Sequence, residues 1–345
     1  MNISMTQLVV LTTTLLFLCA CGSSSDDSST PMTTPDAATT DMAPMDGTDM
    51  GTEPQTPEDL DEGEPQPYEY PAALDTSTEP EYQIEDCTAN KLSRVRGWIV
   101  DRIGRPITGA RAQLCVTNVS GTLVCLMPAQ SNTDGTYTLN VPRTESCANR
   151  AVLRVIKTGA PRATMYCALD LSQASETGEI ILREPSVAYA TIGATTKPPF
   201  EPALSARDVT FPSGITMTVI PDDLFGIEPE SDYAMLSTRH VLPDERGLCF
   251  LDESSTPDHL FTFAPELAVL GEGASISFEN QFDYEANQTL ELWLLGGLDC
   301  TIDGEHVKEG EWKQVGTAEV SSDGARIETD FKLPCLTWIG LRANN

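Results

Sequence analysis

The stretch that decides the fold reads Ser93-Arg94-Val95-Arg96-Gly97-Trp98-Ile99-Val100-Asp101. It is rich in β-branched and aromatic residues and runs into Gly104-Arg105-Pro106, which supplies a turn. It reads as one β-strand. Six runs of the same texture follow: Ala110–Thr117, Thr122–Met127, Thr136–Val141, Ala151–Lys157, Thr164–Leu169 and Glu179–Leu182. Between them lie turn residues, with Asp134-Gly135 as a strong hairpin signal. No helical period interrupts the series. Short strands at close, regular spacing predict a sandwich or barrel.

Side chains of a strand alternate between its faces, so Val95, Gly97 and Ile99 share one side and Arg94, Arg96 and Trp98 the other. A Trp set between two arginines is expected off the core side. The ring suits stacking on a sugar and the guanidinium groups suit carboxylate or phosphate, so Arg94, Arg96 and Trp98 form a candidate ligand platform. The bland alternative is that the neighbouring domain or the arginine stems cover Trp98.

The runs Gly97-Trp98-Ile99-Val100-Asp101, Gly104-Arg105-Pro106, Gly109-Ala110 and Thr133-Asp134-Gly135-Thr136-Tyr137-Thr138-Leu139 resemble the carboxypeptidase regulatory-like domain. That resemblance implies a transthyretin-like β-sandwich over residues 87–185. It implies an accessory module without catalytic residues, whose relatives serve as sugar-binding, adhesive or structural units. A fold of this kind does not fix a function.

Residues 186–206, with Pro198-Pro199 and Pro202 among small residues, read as a hinge. Beyond it, strands are expected at Val209–Phe211, Ile215–Ile220, Tyr233–Ser237, Leu260–Ala264, Ser275–Glu279, Leu290–Leu295, Lys313–Val320, Ala325–Phe331 and Leu336–Leu341. The segments Phe261-Thr262-Phe263-Ala264-Pro265-Glu266, Trp312-Lys313-Gln314-Val315-Gly316, Ser321-Ser322-Asp323-Gly324 and Leu336-Thr337-Trp338 loosely resemble ZU5-type surface modules, which implies interaction rather than chemistry. Trp293, Trp312 and Trp338 are expected as core or rim aromatics.

Upstream of the strands the chain has a different character. Leu8 to Ala20 is an apolar run of 13 residues, shorter than the roughly 20 that span a bilayer but suited to a signal peptide. It ends in Leu18-Cys19-Ala20-Cys21, which resembles a bacterial lipobox although the first seven residues carry no Lys or Arg. The resemblance implies cleavage after residue 20 and a lipidated Cys21. Gly22, in place of an inner-membrane-retention Asp, points to the outer membrane. Residues 21–86 read as a disordered acidic stalk, rich in Pro, Ser and Thr and poor in apolar surface. Residues 1–86 hold 18 acids and no Lys or Arg, residues 87–206 hold 13 bases against 8 acids, and residues 207–345 hold 8 bases against 26 acids. A net charge of −31 with no dominant basic face argues against nucleic acid as a partner.

Beyond Cys19 and Cys21, eight cysteines remain, and an exported chain can oxidise them. Cys115 and Cys125 sit symmetrically about Ser120-Gly121 and are placed to face each other across a hairpin. Cys147 and Cys167 flank a strand pair, and Cys300 with Cys335 would close the last module. Cys87 and Cys249 are then left, either as an interdomain bridge or as two separate thiols.

Motifs for chemistry are sparse. His306-Val307-Lys308-Glu309 fits half of a metallocarboxypeptidase zinc site, but a catalytic zinc needs three protein ligands and no histidine follows His306. The acid pairs Asp222-Asp223, Asp252-Glu253 and Asp283/Glu285 match no calcium loop. There is no nucleophile elbow and no phosphate-cradling Gly-Lys-Thr/Ser loop, and His240, His259 and His306 are scattered. The sequence therefore predicts an all-β protein: two β-sandwich domains, 87–185 and 207–345, behind a disordered acidic linker. It predicts no catalytic residues, metal or cofactor. The chain is expected to be lipid-anchored at a bacterial cell envelope, with a glycan or a surface protein as partner.

Overall fold

The computed structural model describes residues 61, 63–76, 87–201, 205–225, 229–251, 256–266, 269–298 and 300–344. The signal segment, Cys19, Cys21, the stalk to residue 60 and the pair Asp252-Glu253 lie outside the described residues. The fold is all-β, with one short α-helix, Pro229–Met235, among the described residues.

All seven strands expected in the first module are present, their ends shifted by a few residues. Among the described residues they form two sheets. The strand Cys147–Ile156 is central to the larger, pairing antiparallel with Arg111–Asn118, Asn90–Lys91 and Met165–Ala168. The strand Arg94–Val100 is central to the smaller, antiparallel to Thr136–Asn140 and parallel to Glu179–Ile181 and Ser186–Val187. Val95 and Ile99 face the larger sheet and are fully buried together with Leu114, Val152 and Leu153. Gly97 lies opposite Tyr137 in the register, and a side chain there would collide with the phenol ring.

The second module is built on one long sheet, 11 strands among the described residues, with a small two-stranded ribbon, Thr301–Ile302 against Glu305–His306, beside it. The long sheet folds over on itself. Phe261 and Phe278 belong to strands far apart in the sheet order, yet their ring centroids are 4.9 Å apart in the core. The two ends of the sheet also meet: Thr195 N donates to Thr210 O at 2.8 Å and Thr210 N to Thr196 O at 2.9 Å. The expected strand Tyr233–Ser237 is corrected. Residues Pro229–Met235 are helical and the strand runs from Ser237 to Val241. The first part of the expected hinge, residues 186–193, is packed structure. Ser186–Val187 joins the first module's smaller sheet, Ile192–Gly193 joins the second module's sheet, and Ala188 to Thr191 between them are buried. A run of small residues around one Tyr packs between the modules, where a free linker was expected.

Among the described residues four disulfides close the fold. Cys115–Cys125 and Cys300–Cys335 are the expected pairs. The other expectations are corrected: Cys147 pairs with Cys87, and Cys167 pairs with Cys249. Cys167 lies opposite Leu153 in the ladder, six residues along the strand from Cys147. That places it roughly 20 Å from Cys147, beyond disulfide reach. The bridge between the modules therefore exists, but through Cys167 rather than Cys87.

Candidate functional site

The candidate platform lies where the alternation placed it, opposite the core face, but it is not open. Arg94, Arg96 and Trp98 are 6 %, 7 % and 3 % exposed, which removes the expected free face. The cover comes from the end of the expected stalk. Residues 63–76 run across the smaller sheet as a strap, with Pro65, Pro67 and Pro71 favouring an extended backbone. Tyr68 and Tyr70, two residues apart, meet Trp98 edge-on with ring centroids at 6.2 and 6.5 Å. Leu74 is buried in the first module's core cluster. Arg96 donates to the carbonyls of Ala73 at 2.8 Å and Thr76 at 3.0 Å. Arg94 instead turns along its own sheet to Glu179, 2.8 Å away.

Further arginines grip the same strap. Arg183 stacks on Tyr70 with 4.6 Å to the ring centroid and donates to Asp75 at 2.9 Å. Arg246, from the second module, stacks on Tyr68 at 3.3 Å. At the strap's start, the Asp61 carboxylate accepts from Arg162 at 3.1 Å, from Arg239 at 3.0 Å and from Ala190 N at 2.8 Å. Arg162 and Arg239 come from different modules. Burial pushes the Arg239 guanidinium below the usual arginine range, and Asp61 opposes that shift.

The two modules meet at a junction that draws on the larger sheet of the first. Arg154 forms a two-pronged pair with Glu266, and Tyr166 Oη donates to the same carboxylate while accepting from Leu298 N at 3.1 Å. The Arg154 and Glu266 side chains are only 5 % and 6 % exposed. Trp338, read as a core or rim aromatic, sits in this junction with its indole N–H on Thr164 O at 2.7 Å, packed against Tyr189 and Phe250. Trp312 contacts the same Phe250, whereas Trp293 carries Arg342 at 4.4 Å on its ring. The opposite charges of the modules meet here: Arg102 pairs with Glu245, Arg150 with Glu311 and Arg154 with Glu266.

His306 and Glu309 are 3.4 Å apart beside a tight turn at Asp303-Gly304. Among the described residues no group of three or more His, Cys, Asp or Glu is arranged to hold a metal. His240 and His259, scattered in sequence, are brought together on neighbouring strands with ring nitrogens 3.2 Å apart, and Phe282 stacks on His259. Burial, with His259 second, pushes His240 down to about 4. Burial also lowers His259. On the second module a trough of about 680 Å³ is lined by hydroxyls and acids, including Thr216, Thr218, Ser277, Glu319 and Glu328. Glu319 and Glu328 face each other across adjacent strands.

No protein-family model and no curated protein matches this chain. Among solved structures, the Bacillus anthracis TIE protein aligns with 74 % of this chain and 46 % of its own, at 8 % identity and a TM-score of 0.20. This chain thus spans less than half of that protein, and a likeness at that level carries no argument about fold or role. Among the described residues no helix is long and apolar enough to cross a membrane.

Proposed function

We propose that this chain is a lipid-anchored protein of a bacterial cell envelope whose two β modules act together as one non-catalytic binding or scaffolding body. The observation that carries the reading is the junction. A buried Arg154–Glu266–Tyr166 cluster, the Cys167–Cys249 bridge and Trp338 join the two modules into one body. An oxidised bridge in that position suits an exported protein. Leu8 to Cys21 supplies the export and lipidation signal, and Gly22 favours the outer membrane. A single acyl chain binds a membrane only marginally, so the three chains usual for such lipoproteins are what would anchor it stably. The carboxypeptidase regulatory-like and ZU5-like resemblances are compatible with adhesion or support.

A second reading, a purely structural spacer, is favoured by the charge complementarity across the junction. A sugar platform on Arg94, Arg96 and Trp98 is not favoured, because the strap occupies that face. Detergent phase partitioning tests the anchor. The native protein is expected in the detergent phase and a Cys21→Ser variant in the aqueous phase. Recovery of the native protein in the aqueous phase would remove the anchor from the reading.

A further inference from the structure

The strap is held in a manner unlike the rest of the fold. Among the described residues it adds no strand to either sheet, and its backbone contact with the first module is Gln66 N to Ile103 O at 2.8 Å, together with the two carbonyls that Arg96 holds. Its grip is a set of side chains entering a groove: Asp61 between two arginines, Tyr68 and Tyr70 astride Trp98, and Leu74 in the core. The groove groups keep partners of their own. Arg162 also donates to Ala188 O and Arg239 to Ala190 O at 3.0 Å. Arg96 lies 3.6 Å from Glu179, and the Trp98 indole N–H donates to Arg183 O at 3.3 Å. Departure of the strap therefore unzips no ladder; Arg162, Arg239 and Trp98 each keep a hydrogen-bond acceptor, and Arg96 keeps Glu179 as its charge partner. A segment with those properties is a bound ligand tethered in cis.

We propose that the groove of Trp98, Arg96, Arg183, Arg246 and the Arg162/Arg239 pair is a peptide-binding site, closed in this chain by its own residues 61–76. The partner it fits is an extended acidic segment of another protein, carrying a carboxylate, a Tyr-x-Tyr pair and an apolar residue in the order of Asp61, Tyr68, Tyr70 and Leu74. Tyrosine faces supply sequence-tolerant stacking for Trp and Arg, and the carboxylate supplies the charge-assisted bonds. Tethering gives the strap an effective concentration near the millimolar range, so a partner gains entry only by out-competing it or when the strap is pulled aside. This inference does not rest on lipidation of Cys21 and would survive its failure.

The test uses the full chain with a specific protease site placed within residues 77–86, before and after cleavage. The probe is a labelled synthetic peptide of residues 61–76. Expected is at least tenfold more labelled peptide bound by the cut protein than by the uncut protein, with Arg96→Gln reducing binding at least tenfold and Arg94→Gln by much less. A Tyr68→Phe peptide is expected to bind at least as well, because the Tyr68 hydroxyl is buried without a partner. Equal binding to cut and uncut protein would overturn the proposal, as would no binding by a cut protein with an unchanged circular dichroism spectrum. Unfolding once the strap dissociates would also overturn it, by making residues 61–76 part of the fold. Dimers formed by exchanged straps would reassign the occupant to a second copy and overturn the partner named here.

Discussion

Two buried side chains set the sharpest expectations at the scale of single residues. Arg154 and Glu266 are each almost wholly removed from solvent, and each is the other's charge partner across the junction. Removing one leaves the other as an uncompensated buried ion, which costs about 3–5 kcal/mol. Arg154→Leu is therefore expected to lower unfolding free energy by that amount in denaturant titration, and Arg154→Leu with Glu266→Leu to recover most of it. A double variant no better than the single would refute the pairing. His240 sets a pH dependence. Its folded pKa is pushed down to about 4 from 6.5, first by burial and then by neighbouring His259, while Glu245 opposes the shift. Between those two values the unfolded chain binds a proton that the folded chain refuses. Stability is thus full above about pH 6.5 and declines as the pH falls towards 4. The melting temperature should fall across that window, and a His240→Phe variant should fall less steeply; parallel slopes would exclude His240 as a source. Trp98 shows what was legible at this scale. Its side of the strand followed from alternation alone, but its burial did not. The covering residues lie some 30 positions upstream, in an acidic, proline-rich segment that reads as a tether. The one available hint was the spacing of Tyr68 and Tyr70, which puts two rings on one side of an extended chain.

Elements whose pairing is local could be read, and those fixed by distant partners could not. The hairpin Arg111–Asn118 with Leu123–Cys125 sets Cys115 directly opposite Cys125, so sequence symmetry about Ser120-Gly121 was enough. Cys167–Cys249 spans 82 residues and joins two modules, which no local pattern encodes. Tyr233, Ala234 and Met235 read as apolar strand residues, whereas Pro229 opens a helical turn that takes them and the strand starts at Ser237. Small residues at the start of the expected hinge signal flexibility in sequence, but in the fold they allow Ala188 and Ala190 to pack fully between the sheets. The two kinds of disulfide should differ in strength. In the chain-entropy account, loss of a bridge with a separation of 10 residues costs roughly 2.5–3 kcal/mol and one of 82 residues roughly 4–4.5 kcal/mol. Alanine pairs at Cys115/Cys125 and at Cys167/Cys249, compared by denaturant unfolding, should rank in that order. The reverse ranking would show that the junction stays joined without its bridge.

For the molecule as a whole, the uneven charge of the sequence takes on a structural meaning. Arginines of the basic segment point both at the acidic module and at the acidic strap, so the first module is held on two sides by opposite charge. That partition was visible as composition; its use as an adhesive was not, because a count of charges carries no direction. Asp61 has a mechanical corollary. It touches both modules at once, and it stands at the N-terminal end of the strap. A tug arriving from upstream is therefore delivered to Arg162 and Arg239 before it reaches the Cys87–Cys147 bridge, and the strap behaves as a fuse. Stretching one molecule between residue 21 and residue 345 should record an early, low-force rupture. It should free about 26 residues, or roughly 90 Å of slack, before either β body yields. A first rupture of a different length would mean that load enters this protein by another route.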